Sequence, residues 1–88
     1  MSLEALKTAR RKTVGAKQTI KALERQSEVV HMVFVARDAE EYVIRDIVRM
    51  AQERGLEIHY VDTMAVLGKA CGIEVGAATA AIMADKQP

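Results

Sequence analysis

Apolar positions recur along this chain with two periods, one near 3.6 residues and one near 2. In "LEALKTARRK", residues 3–12, Leu3, Leu6 and Ala9 share a face while Lys7, Arg10 and Arg11 turn away, which predicts a helix with Ser2 as N-cap. Thr13 and Val14 are β-branched and predict a very short strand; Gly15 then permits a tight turn or a close approach of a ligand. In "AKQTIKALER", 16–25, Ala16, Ile20 and Leu23 recur at i, i+4 and i+7, a second helix with one face on a core. "VVHMVFVA", 29–36, is nearly continuous in apolar residues, as in a strand covered on both faces.

Asp38, followed three residues later by Glu41, predicts a capping box that opens a helix running to about Arg54. Val43, Ile44, Ile47, Met50 and Ala51 form its inward side, and Gly55 closes it. "LEIHYV", 56–61, reads as a strand, and Asp62 or Thr63 caps a short helix, "MAVLGKAC", closed by Gly72. "IEVG", 73–76, is a loop. "AATAAIM", 77–83, has the alanine content of a helix and the position of a central strand, and the pattern leaves both open. Alternating helices and strands imply an α/β/α layered sheet with helices on both faces.

With 88 residues, one domain spanning 1–88 is expected, burying roughly 60% of the surface of its unfolded chain. Half the residues are hydrophobic, which excludes disorder. The apolar runs fall short of the roughly 20 residues that span a bilayer, so no membrane association is expected. Lys7, Arg10, Arg11 and Lys12 interrupt any early signal peptide. A lone cysteine, Cys71, fits a reducing cytoplasmic setting. Charge changes the picture most. Residues 1–25 hold seven Lys/Arg against two Glu, whereas the whole chain nets only +1, so a basic face and an anionic partner are expected.

The start of the second helix is the strongest local candidate. Lys17 and Lys21, one turn apart, can hold phosphate oxygens, and the N–H groups after Gly15 can bind another. Gln18 can donate and accept. The second candidate is "LGKACGIEVGAA", 67–78, where Gly68, Gly72 and Gly76 keep a loop thin. It lacks the Gly-Lys-Ser/Thr ending of a P-loop and the spacing of a dinucleotide fingerprint. Ile73 and Val75 either plug the core from this loop or project from it, and Glu74 between them faces solvent. His31, in a buried strand, is expected to be a satisfied core residue or an edge position. His59 lacks partners at metal-ligand spacing, Cys71 stands alone, and no nucleophile–base set assembles, so no metal, cofactor or enzymatic activity is expected. The aromatics, Phe34, Tyr42 and Tyr60, are too few for a base-stacking platform, which favours shaped RNA over single strands.

"GAKQTIKAL", 15–23, and "LGKACGIEVGAA" together resemble the L-seven-Ae/L-thirty-e ribosomal protein family, whose members bind kink-turn RNA, and the chain looks most like its small bacterial branch. The likeness covers nearly everything after residue 10. It implies a three-layer α/β/α sandwich around a mixed four-stranded sheet. It also implies a structured RNA partner with consecutive sheared G·A pairs, which could be ribosomal RNA, a riboswitch or another kinked RNA. By position, Lys17, Gln18 and Lys21 would contact guanine edges and nearby phosphates, Gly15 would allow the approach, and Ile73, Glu74 and Val75 would cover an extruded nucleotide. Arg25, Arg37 and Lys69 are further candidates for backbone contacts. Relatives from archaea and eukaryotes usually carry Asn-Glu where this chain has Lys17-Gln18, so the same RNA shape with a different sequence preference is expected. A monomer is the expected state. The alternative reading is a protein-interaction subunit of a larger ribonucleoprotein particle, docking through the apolar loop.

Overall fold

The structure, a computed structural model, describes residues 3–25 and 29–84. In chain order the elements are α1 (Glu4–Thr8), β1 (Arg11–Val14), α2 (Ala16–Glu24), β2 (Val30–Ala36), α3 (Glu41–Glu53), β3 (Glu57–Val61), α4 (Met64–Ala70) and β4 (Thr79–Met83). The strands form one sheet in the order β1-β4-β2-β3. β4 runs antiparallel to both β1 and β2, and β3 pairs parallel to β2, with α3 as the crossover between them.

Two apolar layers sandwich the sheet. Leu6 of α1 and Leu67 and Ala70 of α4 pack with Met32, Phe34 and Ala36 on one face. Ala22 and Leu23 of α2 and Ile47 and Ala51 of α3 pack with Val33 and Val35 on the other. Successive β2 side chains thus serve opposite layers, which is why its sequence is apolar almost throughout. β4 settles the ambiguity of its alanines. Ala80 and Ala81 are fully buried in opposite layers, and small side chains let helices approach the sheet centre from both sides. Paired on both edges, the segment becomes a strand whatever its helix propensity.

Three local expectations are corrected. The first helix stops at Thr8 rather than continuing to residue 12, because Arg11–Val14 pairs with β4. The chain turns extended at Ala9, and Lys12 Nζ donates to the Leu6 carbonyl oxygen at 3.2 Å, closing the α1 C-terminus. Ser2 lies outside the described residues. Asp38 does not cap α3, whose N-cap position is Glu40 with no side-chain bond. Its Oδ1 instead accepts from the Met64 N–H at 2.8 Å, tying the β2–α3 turn to the start of α4, while Thr63 accepts from Val66 N–H at 3.1 Å. His31 is exposed rather than in the core. Val30 and Met32 pair with the consecutive residues Met83 and Ile82, so His31 is the extra residue of a β-bulge and its side chain leaves the buried face.

Candidate functional site

The β1–α2 junction is built by Gly15, where the sequence places a turn, and by two threonines whose role the sequence pattern missed. Gly15 sits at φ +92°, ψ 162°, a conformation that side-chain-bearing residues avoid. Thr19 Oγ1 donates to the Gly15 carbonyl oxygen at 2.8 Å and lies 2.8 Å from Thr13 Oγ1. Since the Thr19 proton is committed to Gly15, Thr13 is the donor in the second bond. Both threonines are buried, so the turn is pinned from beneath by hydroxyls that read in sequence as ordinary β-branched residues. An i, i+6 pair of threonines around a Gly is the only trace of this in the chain.

Above that base, the α2 N-terminus is open. Its N-cap is a glycine without a side-chain bond, and its first turn holds no acid, so the partial positive charge of the helix end is uncompensated. Lys17, Gln18 and Lys21 are exposed around it. The Gln18 amide is oriented: its Oε1 accepts from Val14 N–H at 3.1 Å, which leaves its NH2 group to donate outward.

Topology brings the glycine loop to this same end of the sheet. Gly15 N–H donates to Thr79 O at 2.8 Å, Ala36 N–H to Ala78 O at 2.9 Å, and Ala77 N–H to Met64 O at 3.0 Å. The starts of α2, β4 and α4 and the end of β2 therefore meet there. Lys17 stands on α2, whereas Ile73 packs in the opposite helical layer and its N–H donates to Gly68 O at 3.1 Å. The loop lies flat on α4: a Cβ at Gly68 would come 2.1 Å from the Val75 carbonyl oxygen, and one at Gly76 would come 3.0 Å from Met64 Cβ. The apolar pair divides. Ile73 is partly buried against the core of its layer, whereas Val75 is 70% exposed, and Glu74 faces solvent.

Arg37 follows β2 at this end, with its guanidinium 5.3 Å from the Tyr60 ring centroid and 3.9 Å from the Asp62 carboxylate, all largely exposed. Lys69 is exposed on the last turn of α4. Arg25 is not part of the cluster: it is the C-cap of α2, roughly 12 Å along the helix from Lys17. Among the described residues no three His, Cys, Asp or Glu side chains gather as a metal site, and no helix is long and apolar enough to cross a membrane. Cys71 is buried, and that desolvation raises its thiol pKa above the ordinary 9.0, with nearby Lys12 opposing.

The sequence matches the profile of the Ribosomal protein L7Ae/L30e/S12e/Gadd45 family over residues 2–87. It is 48% identical over 83 residues to an "RNA-binding protein" of Bacillus pumilus, covering 94% of this chain and 99% of that one. It is 39% identical over 87 residues to the "Large ribosomal subunit protein eL8" of Halobacterium salinarum, covering 94% of this chain and 71% of that protein. In fold it is similar to the Giardia lamblia "15.5kD RNA binding protein", with a TM-score of 0.80 at 21% identity over 96% of this chain and 72% of that one.

Proposed function

Because the chain belongs to the Ribosomal protein L7Ae/L30e/S12e/Gadd45 family, we propose that it is a non-enzymatic RNA-binding protein that recognises kink-turn RNA and stabilises its bent form. It acts as a single monomeric domain in the cytoplasm. The similarity to a large ribosomal subunit protein favours a ribonucleoprotein particle as its setting.

The observation that supports this most is the exposed, uncapped, cationic start of α2 at the same end of the sheet as a thin loop with Val75 bare. Lys17 and Lys21 neutralise phosphates, and the first-turn N–H groups take a further oxygen. Gly15, with nothing within 4 Å of where a Cβ would be, leaves room for the RNA backbone. Gln18 donates its NH2 to an acceptor on a guanine edge, since its carbonyl is held by Val14. Val75, flanked by Glu74 and the anchored Ile73, covers the extruded nucleotide, and Arg37 and Lys69 add backbone contacts. Binding shifts a straight–bent equilibrium of the RNA by no more than its differential affinity for the two shapes.

Titration of Lys21→Ala and Gln18→Ala against a kinked RNA and a control with its G·A pairs disrupted tests this reading. Lys21→Ala weakens binding and lowers the salt slope by about one unit. Gln18→Ala costs about 1–3 kcal/mol of discrimination between the two RNAs. Equal loss on both RNAs for Gln18→Ala removes its reading role, and wild-type protein that binds both RNAs equally removes the proposed function.

A further inference from the structure

We propose that the open edge of β3 takes up an extended segment of a partner protein as a fifth strand of the sheet, a segment that alternates apolar and acidic side chains into two grooves flanking that edge. β3 ends the strand order among the described residues, and one bond fixes the direction of its backbone groups. Val61 O accepts from Arg37 N–H at 2.7 Å, so Val61 bonds toward β2. Bonding direction alternates along a strand, so Glu57 and His59 also face β2, whereas Ile58 and Tyr60 turn their N–H and C=O groups outward. β3 carries none of the devices that blunt an edge: residues 57–61 contain no Lys, Pro or Gly, and the pairing with β2 has no bulge. The opposite edge, β1, carries Arg11 and Lys12. It lies three strands away, roughly 14 Å across the sheet, and leads into the start of α2.

The flanks of the edge decide its occupant. On the α4 side, Leu3, Phe34 and Val66 line a groove of about 260 Å³. Of its polar side chains, His59 Nε2 lies 2.6 Å from a Glu57 carboxylate oxygen and Asp62 lies 3.9 Å from Arg37, so the free lining is chiefly apolar. On the α3 side, Ile44 and Val48 line a groove of about 390 Å³ together with Glu41, Arg45 and Arg49. Arg49 is held by Asp46 at 3.6 Å and Glu53 at 3.4 Å. Arg45 is exposed and has no ion-pair partner among the described residues, Glu41 one turn before it included. Tyr60 lines both grooves, which therefore open on the two faces of one edge. A second copy presents the same two hollows and fills neither. A single extended chain fills both, because successive side chains of a strand point to opposite faces. The seat is five residues long, roughly 17 Å. It offers main-chain hydrogen bonds along the edge, an apolar groove on one face and an unanswered cation on the other.

The probes are three synthetic eight-residue peptides: one alternating valine and glutamate, one alternating valine and lysine, and the first with proline at its centre. Each is titrated into isotope-labelled protein and followed by amide NMR and hydrogen exchange. The valine–glutamate peptide should shift the Ile58 and Tyr60 amides and slow their exchange. It should bind several-fold more tightly than the valine–lysine peptide and lose binding when proline removes its central N–H. Arg45→Glu, at an exposed position, should reverse the ranking of the two charged peptides. Arg10→Glu, the same charge change at an exposed position outside both grooves, should leave the ranking as it is. Absence of peptide-dependent protection at Ile58 and Tyr60 overturns the proposal, as does an equal effect of the two substitutions on the ranking. Sedimentation that finds a dimer of the free protein, dispersed by Tyr60→Lys, overturns it too, by assigning the edge to a second copy.

Discussion

Replacing Gly68 by alanine asks whether backbone packing, rather than chain stiffness, holds the 73–76 loop in place. Within α4 alone the change is favourable, since alanine exceeds glycine in helix propensity by about 1 kcal/mol. The neighbourhood reverses the sign. The new Cβ lands 2.1 Å from Val75 O and 3.1 Å from Gly76 Cα, and both are backbone atoms that no rotamer change can remove. Restoring ordinary contact at ~3.5 Å pushes the loop outward by more than an ångström. Overpacking of this kind costs about 1–3 kcal/mol, toward the upper end when backbone must move. After the propensity gain a net loss of about 1–2 kcal/mol remains, or about 5–15 °C in melting temperature for a domain of this size. Thermal melts followed by circular dichroism measure it. RNA titration supplies the functional half: displacing Val75 weakens binding without changing the salt slope, because no phosphate contact is lost. A melting temperature that stays or rises by several degrees, as for a solvent-facing helical glycine, refutes the packing argument.

Thr79→Val should stabilise the fold. Its fully buried Oγ1 has no hydrogen-bond partner among the described residues, so removing it recovers about 1–2 kcal/mol, read from urea denaturation. Asp38→Ala should cost about 1 kcal/mol by freeing the Met64 N–H, and hydrogen exchange at Met64 should accelerate. Burial raises the Cys71 pKa, so the folded state holds its proton longer than the unfolded state does. Stability is then flat below the ordinary thiol value of 9.0 and falls as pH rises beyond it, a fall that Cys71→Ala should remove in alkaline melts.

The elements that are legible in the sequence are those fixed by local chemistry. Thr63 caps α4 three residues before Val66, and the i, i+4, i+7 apolar stripe of α2 locates its buried side, because cause and effect lie within one turn. What stays hidden depends on distant partners. Asp38 has the spacing of a capping box with Glu41, yet its hydrogen bond goes to a residue 26 positions away. Arg11 and Lys12 suit a helix, but pairing of β1 with a strand at the other end of the chain decides their conformation. His31 fits a buried strand until the bulge against β4 lifts it out.

The candidate site divides along the same line. The grouping of Lys17, Gln18 and Lys21 follows from helical spacing alone. That the start of α2 and the segment following the 73–76 loop share one end of the sheet needs the strand order, which periodicity does not contain. The loop's two apolar residues look alike in sequence, and only packing against α4 separates a half-buried Ile73 from a bare Val75.

Energy transfer between fluorophores on the two arms of a kinked RNA measures protein-driven bending directly. Adding wild-type protein in the absence of divalent metal should raise transfer to a saturating value for the intact RNA and leave the G·A-disrupted control unchanged. Saturable binding with no change in transfer, or the same change in both RNAs, would contradict recognition of the bent form.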